Sequence, residues 1–287
     1  MINNLSEHNK GILAVFLTAI LWSSGGLFIK LISLNAMQLS FFRCLIAAVV
    51  FAIIFRKKLL VVNGFTFLNA AFYAIVLTTF VIATKTTTAA NAIFLQSTAP
   101  IYVLIFEPII NKTKYDKLNI ITIVVCFIGM IFFFLGEISP GHLEGNLVAL
   151  ISGITFASFF LGMRKNGQEY QQSSIFYGNI FVALICIPFL FDLKPLSFND
   201  IWMVTFLGVF QIAIAYAFFS YGLKRILAVE ASIISMFEPV LNPVWVMIGY
   251  GEVPSITASI GGAIIIIAIF TRTILVGSDL IRKKFKF

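Results

Sequence analysis

Glu238 is a carboxylate inside a long apolar run, and other groups able to bind a ligand stand close to it in the sequence. The run begins near Val229 and is long enough to cross a lipid bilayer as a helix. Nine residues at about 1.5 Å each then place Glu238 ~14 Å below the membrane surface, close to the bilayer midplane. Ser235 and Asn242 lie three residues before it and four after it, on the same helix face. Pro239 removes a backbone donor and leaves a carbonyl one turn earlier free to bind. Such a carboxylate binds either a proton or a cationic group of a ligand; the alternative is a fixed structural carboxylate, hydrogen-bonded between helices.

Other polar and aromatic side chains within apolar runs have the chemistry to bind a small molecule. An unpaired amide in hydrocarbon costs several kcal/mol, so we expect these groups to face the interior of a helix bundle. There they bind either a substrate or one another, and the aromatic rings add surfaces for stacking. Besides Glu238, Ser235 and Asn242, the predicted binding residues are Trp22, Ser23, Tyr73, Asn91, Gln96, Gln211 and Tyr216.

Further charges lie in or at the ends of apolar runs, and most of them have a structural alternative. Lys85 and Lys224 end two runs at opposite membrane faces, where they form either a gate or mouth, or helix ends that snorkel to headgroups. Arg43 lies about seven residues inside its run, ~10 Å below the boundary, where it either snorkels outward or pairs with a carboxylate. Glu107, near Lys112, is predicted to be an interfacial charge.

Several kinds of chemistry are excluded by what the sequence lacks. It contains no HExxH, GxSxG or Walker motif, and no histidine within an apolar run, so neither an intramembrane enzyme nor ATP hydrolysis by this chain is indicated. The three cysteines lie in apolar runs without a CxxC pair, which argues against a disulfide framework or a metal site. We therefore predict no catalytic residue, no metal and no cofactor. A sensor or channel is a lesser alternative.

The composition of the chain is that of a membrane protein. Of 287 residues, 60% are hydrophobic and 11% are charged, against about 25% charged in a soluble domain, and the mean hydropathy is +1.02. Ten apolar runs have the ~20 residues needed to cross ~30 Å of hydrocarbon. We therefore predict an all-α polytopic membrane protein with ten transmembrane helices. The runs are Gly11–Ile32, Ala36–Phe55, Phe65–Thr84, Thr87–Ile110, Leu118–Leu135, Asn146–Met163, Ser173–Phe191, Ile201–Gly222, Val229–Tyr250 and Ser255–Val276.

The distribution of lysine and arginine predicts the orientation. Sixteen of the twenty lie in or next to alternate segments between the runs, both termini included, whereas the opposite side holds three, Lys30, Lys85 and Lys194, and Arg43 lies within a run. Positive residues stay on the cytoplasmic side, so we expect a multi-pass protein of the inner membrane with both termini cytoplasmic. The charge is spread over short segments, which argues for the lipid bilayer and against nucleic acid as a partner. Trp202 and Trp245, near run ends, are expected to anchor the membrane interfaces.

The chain also contains an internal repeat of five runs. An offset of 134 residues aligns the first run with the sixth, and an offset of 139 aligns the fourth with the ninth, where Pro100 meets Pro239. Because five is odd, the two copies must cross the membrane in opposite directions, an inverted-topology plan common in secondary transporters. We predict the repeats at residues 1–140 and 141–287, the second ending in a short basic tail. Such a plan places a substrate site near the midplane, between the halves.

Several stretches resemble the EamA family of the drug/metabolite transporter superfamily. GLKRILAVEASIISMFEPVLNPVWVMIGYGE (Gly222–Glu252) resembles the second repeat of that family, ATKTTTAANAIFLQSTAP (Ala83–Pro100) resembles the matching part of the first, and Trp22–Ser23 and Arg43 also fit. The resemblance covers about residues 10–276. It implies ten helices in two inverted repeats, and carriage of small metabolites, often efflux of amino acids or drugs. It also implies a structural role for Arg43, because it places the second span away from the central cavity.

Together these features predict a secondary transporter of small organic metabolites that works by alternating access. Export of amino acids or related compounds is the first expectation, because the family carries such compounds and four aromatic rings allow stacking on the substrate, those of Trp22, Tyr73, Tyr216 and Tyr221. The alternative is an uptake carrier or exchanger for a nucleoside-like or cationic metabolite. We expect coupling to a proton or an ion, with Glu238 as the candidate residue, and a monomer or homodimer.

Overall fold

The computed structural model describes residues 6–87, 89–135, 143–250 and 255–277, and the regular structure in these segments is helical. Short 3₁₀ segments and one π-helical segment, Leu207–Ile214, accompany the α-helices. The predicted all-α architecture is therefore confirmed for the described residues. The α-helices there are α1 (Glu7–Ser23), α2 (Gly25–Leu31), α3 (Ala36–Phe55), α4 (Gly64–Thr86), α5 (Ala89–Gln96), α6 (Ala99–Ile110), α7 (Lys117–Phe133), α8 (Leu143–Lys165), α9 (Gln171–Cys186), α10 (Phe198–Phe206), α11 (Ala215–Leu223), α12 (Ala228–Ser235), α13 (Phe237–Tyr250) and α14 (Ile256–Gly277).

Within the described chain, eight helical segments are long and apolar enough to cross a membrane, judged by length and composition. They correspond to eight of the ten predicted runs. The fifth run forms a shorter apolar helix, Lys117–Phe132, and the ninth is divided at Met236 between α12 and α13. Large apolar side chains such as Ile53, Ile109 and Ile274 are exposed on the outer surface, as expected for helices that face lipid. Ten crossings therefore stay a prediction.

Two spans are broken at equivalent places, each just before a proline. The break at Ser97–Thr98 separates α5 from α6, which has Pro100 in its first turn. The break at Met236 separates α12 from α13, which has Pro239 in its first turn. Proline lacks a backbone N–H and restricts the residue before it, so it begins a helix more easily than it continues one. Since the sequence repeat aligns these two prolines, both halves carry the same break.

Two further irregularities have no counterpart in the other half. α1 and α2 are separated at Ser24, whereas α8, the helix aligned with them by the repeat, is continuous. The π-helical segment Leu207–Ile214 joins α10 to α11, whereas its aligned partner α4 is regular. A π-helical turn widens the helix locally and is frequent at functional sites. Gln211, one of the predicted binding residues, lies in this segment.

The two halves of the chain pack closely against each other. α4 packs on α8 and α9, α1 packs on α11, and α7 packs on α14. Glycine permits the contact between α1 and α11: a Cβ added at Gly222 would lie 2.8 Å from the backbone oxygen of Gly11, which is too close. Helices in membranes commonly pack backbone to backbone through such small residues. The residues that line the central space therefore come from both halves.

Candidate functional site

Two small adjoining cavities lie between the halves and share Gln96, Phe156 and Glu238 in their walls. Each leaves about 20 Å³ for the centre of a water molecule, which is room for about one water. The Arg43 cavity is lined by Trp22, Arg43, Val76, Leu77, Phe80, Gln96, Phe156, Gln211, Tyr216 and Glu238. The Ser235 cavity is lined by Gln96, Ser97, Ala99, Pro100, Phe156, Phe160, Ser232, Ser235, Met236 and Glu238.

Glu238, in the first turn of α13, lines both cavities. Its side chain is partly exposed, and no described residue forms a hydrogen bond or an ion pair with its carboxylate. Ser235 lines the Ser235 cavity, and its Oγ donates to the backbone oxygen of Ala231 at 2.9 Å. Asn242 lines neither cavity. It lies against α2, where a side chain at Gly26 would clash with its amide.

Both helix breaks face the Ser235 cavity. Ser97 and Met236, one at each break, line it together with Pro100. A break leaves backbone N–H and C=O groups without partners inside the helix, and transporters use such groups to bind substrates and ions. At these breaks the amides of Ser97 and Met236 still donate to the backbone oxygens of Ile93 and Ile233. The site therefore combines the two breaks with the carboxylate of Glu238.

Arg43 is fully buried in α3 and lines the Arg43 cavity. Its Nη2 donates to the backbone oxygen of Leu77 at 2.9 Å, whereas Nε and Nη1 have no hydrogen-bond partner among the described residues. The Nε1 of Trp22 and the Oε1 of Gln211, in the same cavity, also lack one there. The structure thus brings Arg43 to the cavity wall, whereas the family resemblance implies a position away from it.

Aromatic rings form one side of the Arg43 cavity. Trp22 contacts Tyr216, with ring centroids 5.0 Å apart, and Phe156, with centroids 5.4 Å apart. Tyr73 lies behind this wall, 4.7 Å from the ring of Tyr216, and its hydroxyl accepts a hydrogen bond of 3.2 Å from Asn179. Trp22 and Tyr216 therefore face the cavity, and Tyr73 supports them.

The two predicted polar residues of α5 occupy different places. Gln96 lines both cavities, and its Nε2 donates to the Oγ of Ser152 in α8 at 2.8 Å. Asn91 lines neither cavity, and its Nδ2 donates to the Oδ1 of Asn146 at 2.8 Å. Both bonds join the first half of the chain to the second. Of the two residues, only Gln96 also contributes to the cavity wall.

Ser23 and Trp245 bond to each other, and neither lines a cavity. The indole Nε1 of Trp245 donates to the Oγ of Ser23 at 2.7 Å, and Ser23 donates to the backbone oxygen of Ile20 at 2.6 Å. The expectation that Trp245 anchors a membrane interface is therefore wrong. Ser23 ends α1 and is followed by α2 within the first span, so Trp245 lies inside that span and not at its boundary.

Lys85 and Lys30 hold the ends of two helices of the first half together. The Nζ of Lys85 donates to the backbone oxygen of Ile32, just after α2, at 2.6 Å. The Nζ of Lys30 donates to the backbone oxygen of Thr87, just after α4, at 2.9 Å. Ammonium groups suit helix C-termini, where carbonyls are unpaired and the helix dipole is negative.

Lys224 and Arg164 make a similar set of contacts in the second half. Nη1 of Arg164 donates to the backbone oxygen of Leu223, at the end of α11, at 3.0 Å. The Nζ of Lys224 donates to the Oε1 of Gln172, in α9, at 3.4 Å. We call the two bonds made by Arg164 and Lys224 the Arg164–Lys224 pair. The two bonds made by Lys30 and Lys85 are the Lys30–Lys85 pair.

Two buried acidic residues have roles that the sequence did not indicate. Glu107 is 1% exposed, and its carboxylate accepts hydrogen bonds from the amides of Ala228 at 2.8 Å and Val229 at 2.7 Å. It caps α12 from α6, so the prediction of an interfacial charge is wrong. Glu230 accepts from Arg272 at 2.7 Å in a buried ion pair. A charge inside a run is a signal, but its partner is distant in the sequence.

Comparison with known proteins identifies the family. Residues 9–135 and 143–273 match a model of the EamA-like transporter family. An uncharacterized transporter of Archaeoglobus fulgidus is 23% identical over 261 residues, which cover 88% of this chain and 92% of that protein. Solute carrier family 35 member G1 of Homo sapiens is 25% identical over 282 residues, which cover 90% of this chain and 77% of that protein.

A solved crystal structure has the same fold. It superposes with a TM-score of 0.79 at 17% sequence identity, covering 93% of this chain and 97% of that chain. The family model accounts for most of the sequence, and the described helices are those of a multi-pass membrane protein. The chain therefore belongs to the EamA-like transporter family of the drug/metabolite transporter superfamily and is a membrane transporter.

Proposed function

We propose that the protein is a secondary transporter that exports amino acids or related small metabolites by alternating access. The observation that carries this proposal is the carboxylate of Glu238, which faces two cavities where broken helices of both halves meet. Transporters with inverted repeats place substrate and coupling ion at such breaks, near the midplane. Glu238 binds either the coupling proton or a cationic group of the substrate.

Alternating access of this kind needs ten membrane crossings, arranged as two inverted repeats at residues 1–140 and 141–287. In this arrangement α7 makes the fifth crossing, and α12 and α13 together make the ninth. The matching breaks before Pro100 and Pro239 support the repeat. The excess of lysine and arginine in alternate segments supports an inner-membrane protein with both termini cytoplasmic.

The Lys30–Lys85 and Arg164–Lys224 pairs are the proposed gates. The first pair joins helix ends of the first half, and the second joins helix ends of the second half. By the predicted topology, these two places lie at opposite membrane faces. Opening one side then requires the bonds of one pair to break while the other pair stays closed, which is alternating access. Export as the direction rests on likeness to the family.

Counterflow in proteoliposomes tests this proposal. Vesicles that contain the purified protein are loaded with one unlabelled amino acid, and entry of the same labelled amino acid is followed without ATP. A carrier accumulates label transiently above equilibrium, because each outward passage of unlabelled substrate returns a site for labelled substrate. Protein-free vesicles are the control. If none of the twenty amino acids gives counterflow, the substrate proposal is wrong, and flux without counterflow would indicate a channel.

A further inference from the structure

We infer that the Arg43 cavity is a receptor for a zwitterion, in which Arg43 binds the carboxylate of the substrate and Glu238 binds its ammonium group. This inference rests on the proposed transport of amino acids and assigns the two charges of such a substrate to two residues. The ligand class is an α-amino acid with an apolar or aromatic side chain.

Arg43 supplies the site for an anion. The guanidinium is fully buried, and among the described residues only Nη2 has a partner, the backbone oxygen of Leu77 at 2.9 Å. Arginine keeps its charge inside proteins, so Nε and Nη1 are buried cationic donors without an acceptor. A carboxylate matches such donors in both charge and geometry. The indole N–H of Trp22 is a further donor in the same wall that has no acceptor among the described residues.

Glu238 supplies the site for a cation. Its carboxylate lines the same cavity, as does the Oε1 of Gln211, and neither group has a hydrogen-bond donor among the described residues. An ammonium group carries three donors and no acceptor, so it satisfies both oxygen groups. Arg43 and Glu238 do not satisfy each other, because no ion pair joins them.

The presence of both charges in one small space defines the class of ligand. A simple anion is repelled by Glu238 and a simple cation is repelled by Arg43, whereas a zwitterion is attracted by both residues. The rings of Trp22, Tyr216 and Phe156 form an apolar surface for the side chain of the substrate. The cavity now has room for about one water, so the two halves must move apart for an amino acid to bind.

Competition by matched analogues in counterflow tests the assignment. Vesicles with the wild-type protein are loaded with unlabelled L-phenylalanine, and entry of labelled L-phenylalanine is measured against external competitors. Phenethylamine lacks the carboxylate and 3-phenylpropionate lacks the amine, while both keep the ring. L-leucine, isoamylamine and 4-methylpentanoate form a second series. Loss of a buried charged hydrogen-bond partner weakens binding by about a hundredfold, so each analogue should compete about a hundredfold more weakly than its parent.

Variants assign each charge to its residue. In Arg43→Gln, L-phenylalanine and phenethylamine should compete about equally, while L-phenylalanine still competes better than 3-phenylpropionate. In Glu238→Gln, L-phenylalanine and 3-phenylpropionate should compete about equally, while L-phenylalanine still competes better than phenethylamine. Where a variant exchanges too slowly, protection against thermal unfolding by the same compounds replaces counterflow. Asn69→Ala is the matched control, because it removes a buried polar group that has no partner among the described residues and lines neither cavity. It should change neither ratio.

The outcomes separate this inference from the proposed function. If phenethylamine competes as well as L-phenylalanine in the wild type, the inference is wrong while amino-acid transport stands. An Arg43→Gln variant that keeps the full preference also overturns the inference. If that variant fails to fold, the wild-type ratios decide, together with Arg43→Lys, which keeps the charge and should retain part of the preference. Wild-type vesicles that exchange no amino acid overturn the proposed function itself.

Discussion

The carboxylate of Glu107 accepts a hydrogen bond of 2.8 Å from the backbone amide of Ala228. A second bond of 2.7 Å comes from the amide of Val229. Helices usually begin with a polar N-cap side chain that accepts from such amides, but the residue before α12 is Leu227. A residue of the first half of the chain therefore caps a helix of the second half, at the start of the segment that ends beside Glu238.

Loss of this cap should destabilise the protein. Glu107→Ala removes two hydrogen bonds to a charged acceptor and should lower the free energy of unfolding by about 2 kcal/mol, whereas Glu107→Gln keeps one acceptor and should cost less. Thermal unfolding of the purified protein in detergent measures both. Glu144→Ala, which removes an exposed carboxylate in the first turn of α8, is the control. If Glu107→Ala unfolds at the same temperature as the control, the capping role is wrong.

The ion pair between Arg272 and Glu230 should show strong energetic coupling. The two side chains meet at 2.7 Å between α14 and α12, and both are buried. Arg272→Met leaves Glu230 only its weaker contacts with His8 and the Leu227 amide, and Glu230→Gln leaves Arg272 without an anionic partner. Each variant should therefore cost about 3 kcal/mol. The double variant should lose clearly less than the sum of the two. A double-mutant cycle on unfolding in detergent measures this, and additive losses would contradict direct pairing.

Breaking the Lys30–Lys85 pair should favour the state that is open on that side. Lys85→Met removes the bond to the backbone oxygen of Ile32. A cysteine at Ser97, in the Ser235 cavity, should then react several times faster with an impermeant reagent added from outside. Lys194→Met removes an exposed lysine that is predicted to lie on the same side, and serves as the control. Equal labelling rates in the two variants would rule out a gating role for Lys85.

The predicted orientation can be tested by labelling single cysteines. Cysteines placed at Lys57, at Lys114 and at Arg282, which lies outside the described residues, should react only with reagent on the cytoplasmic side, because positive segments stay there. The three native cysteines are buried, which keeps the background low. Labelling of these positions from outside intact cells would contradict the orientation and weaken the inverted-repeat proposal.

Much of the cavity wall could be predicted from the sequence, because polar groups inside apolar runs are rare and costly to bury. That cost predicts a binding role for Glu238, Gln96 and Gln211, and all three line the Arg43 cavity. The same cost predicts a binding role for Ser23 and Asn91, yet each forms hydrogen bonds with a partner away from the cavities. The cost of burial predicts that such a group finds a partner, but does not predict which one.

The position of Arg43 could not be predicted, because its run is apolar on nearly all sides. A helix without an amphipathic pattern does not reveal which face it turns inward, and only packing against its neighbours decides that. Pro239 indicates the break within the ninth span, but nothing in the sequence indicates that Trp245 pairs with Ser23. The capping role of Glu107 is not predictable from the sequence, because its partners lie more than a hundred positions later in the chain.

Transport by Glu238→Gln is the most direct test of the central claim, which is that Glu238 binds the coupling proton or the cationic group of the substrate. Initial rates of counterflow across a range of pH would be compared for the wild type, Glu238→Gln and the control Glu144→Gln, each checked for folding by gel filtration. We expect Glu238→Gln to fold but to lose transport or its dependence on pH, while the control behaves as the wild type. A Glu238→Gln variant that transports at the wild-type rate with an unchanged pH profile would contradict the claim.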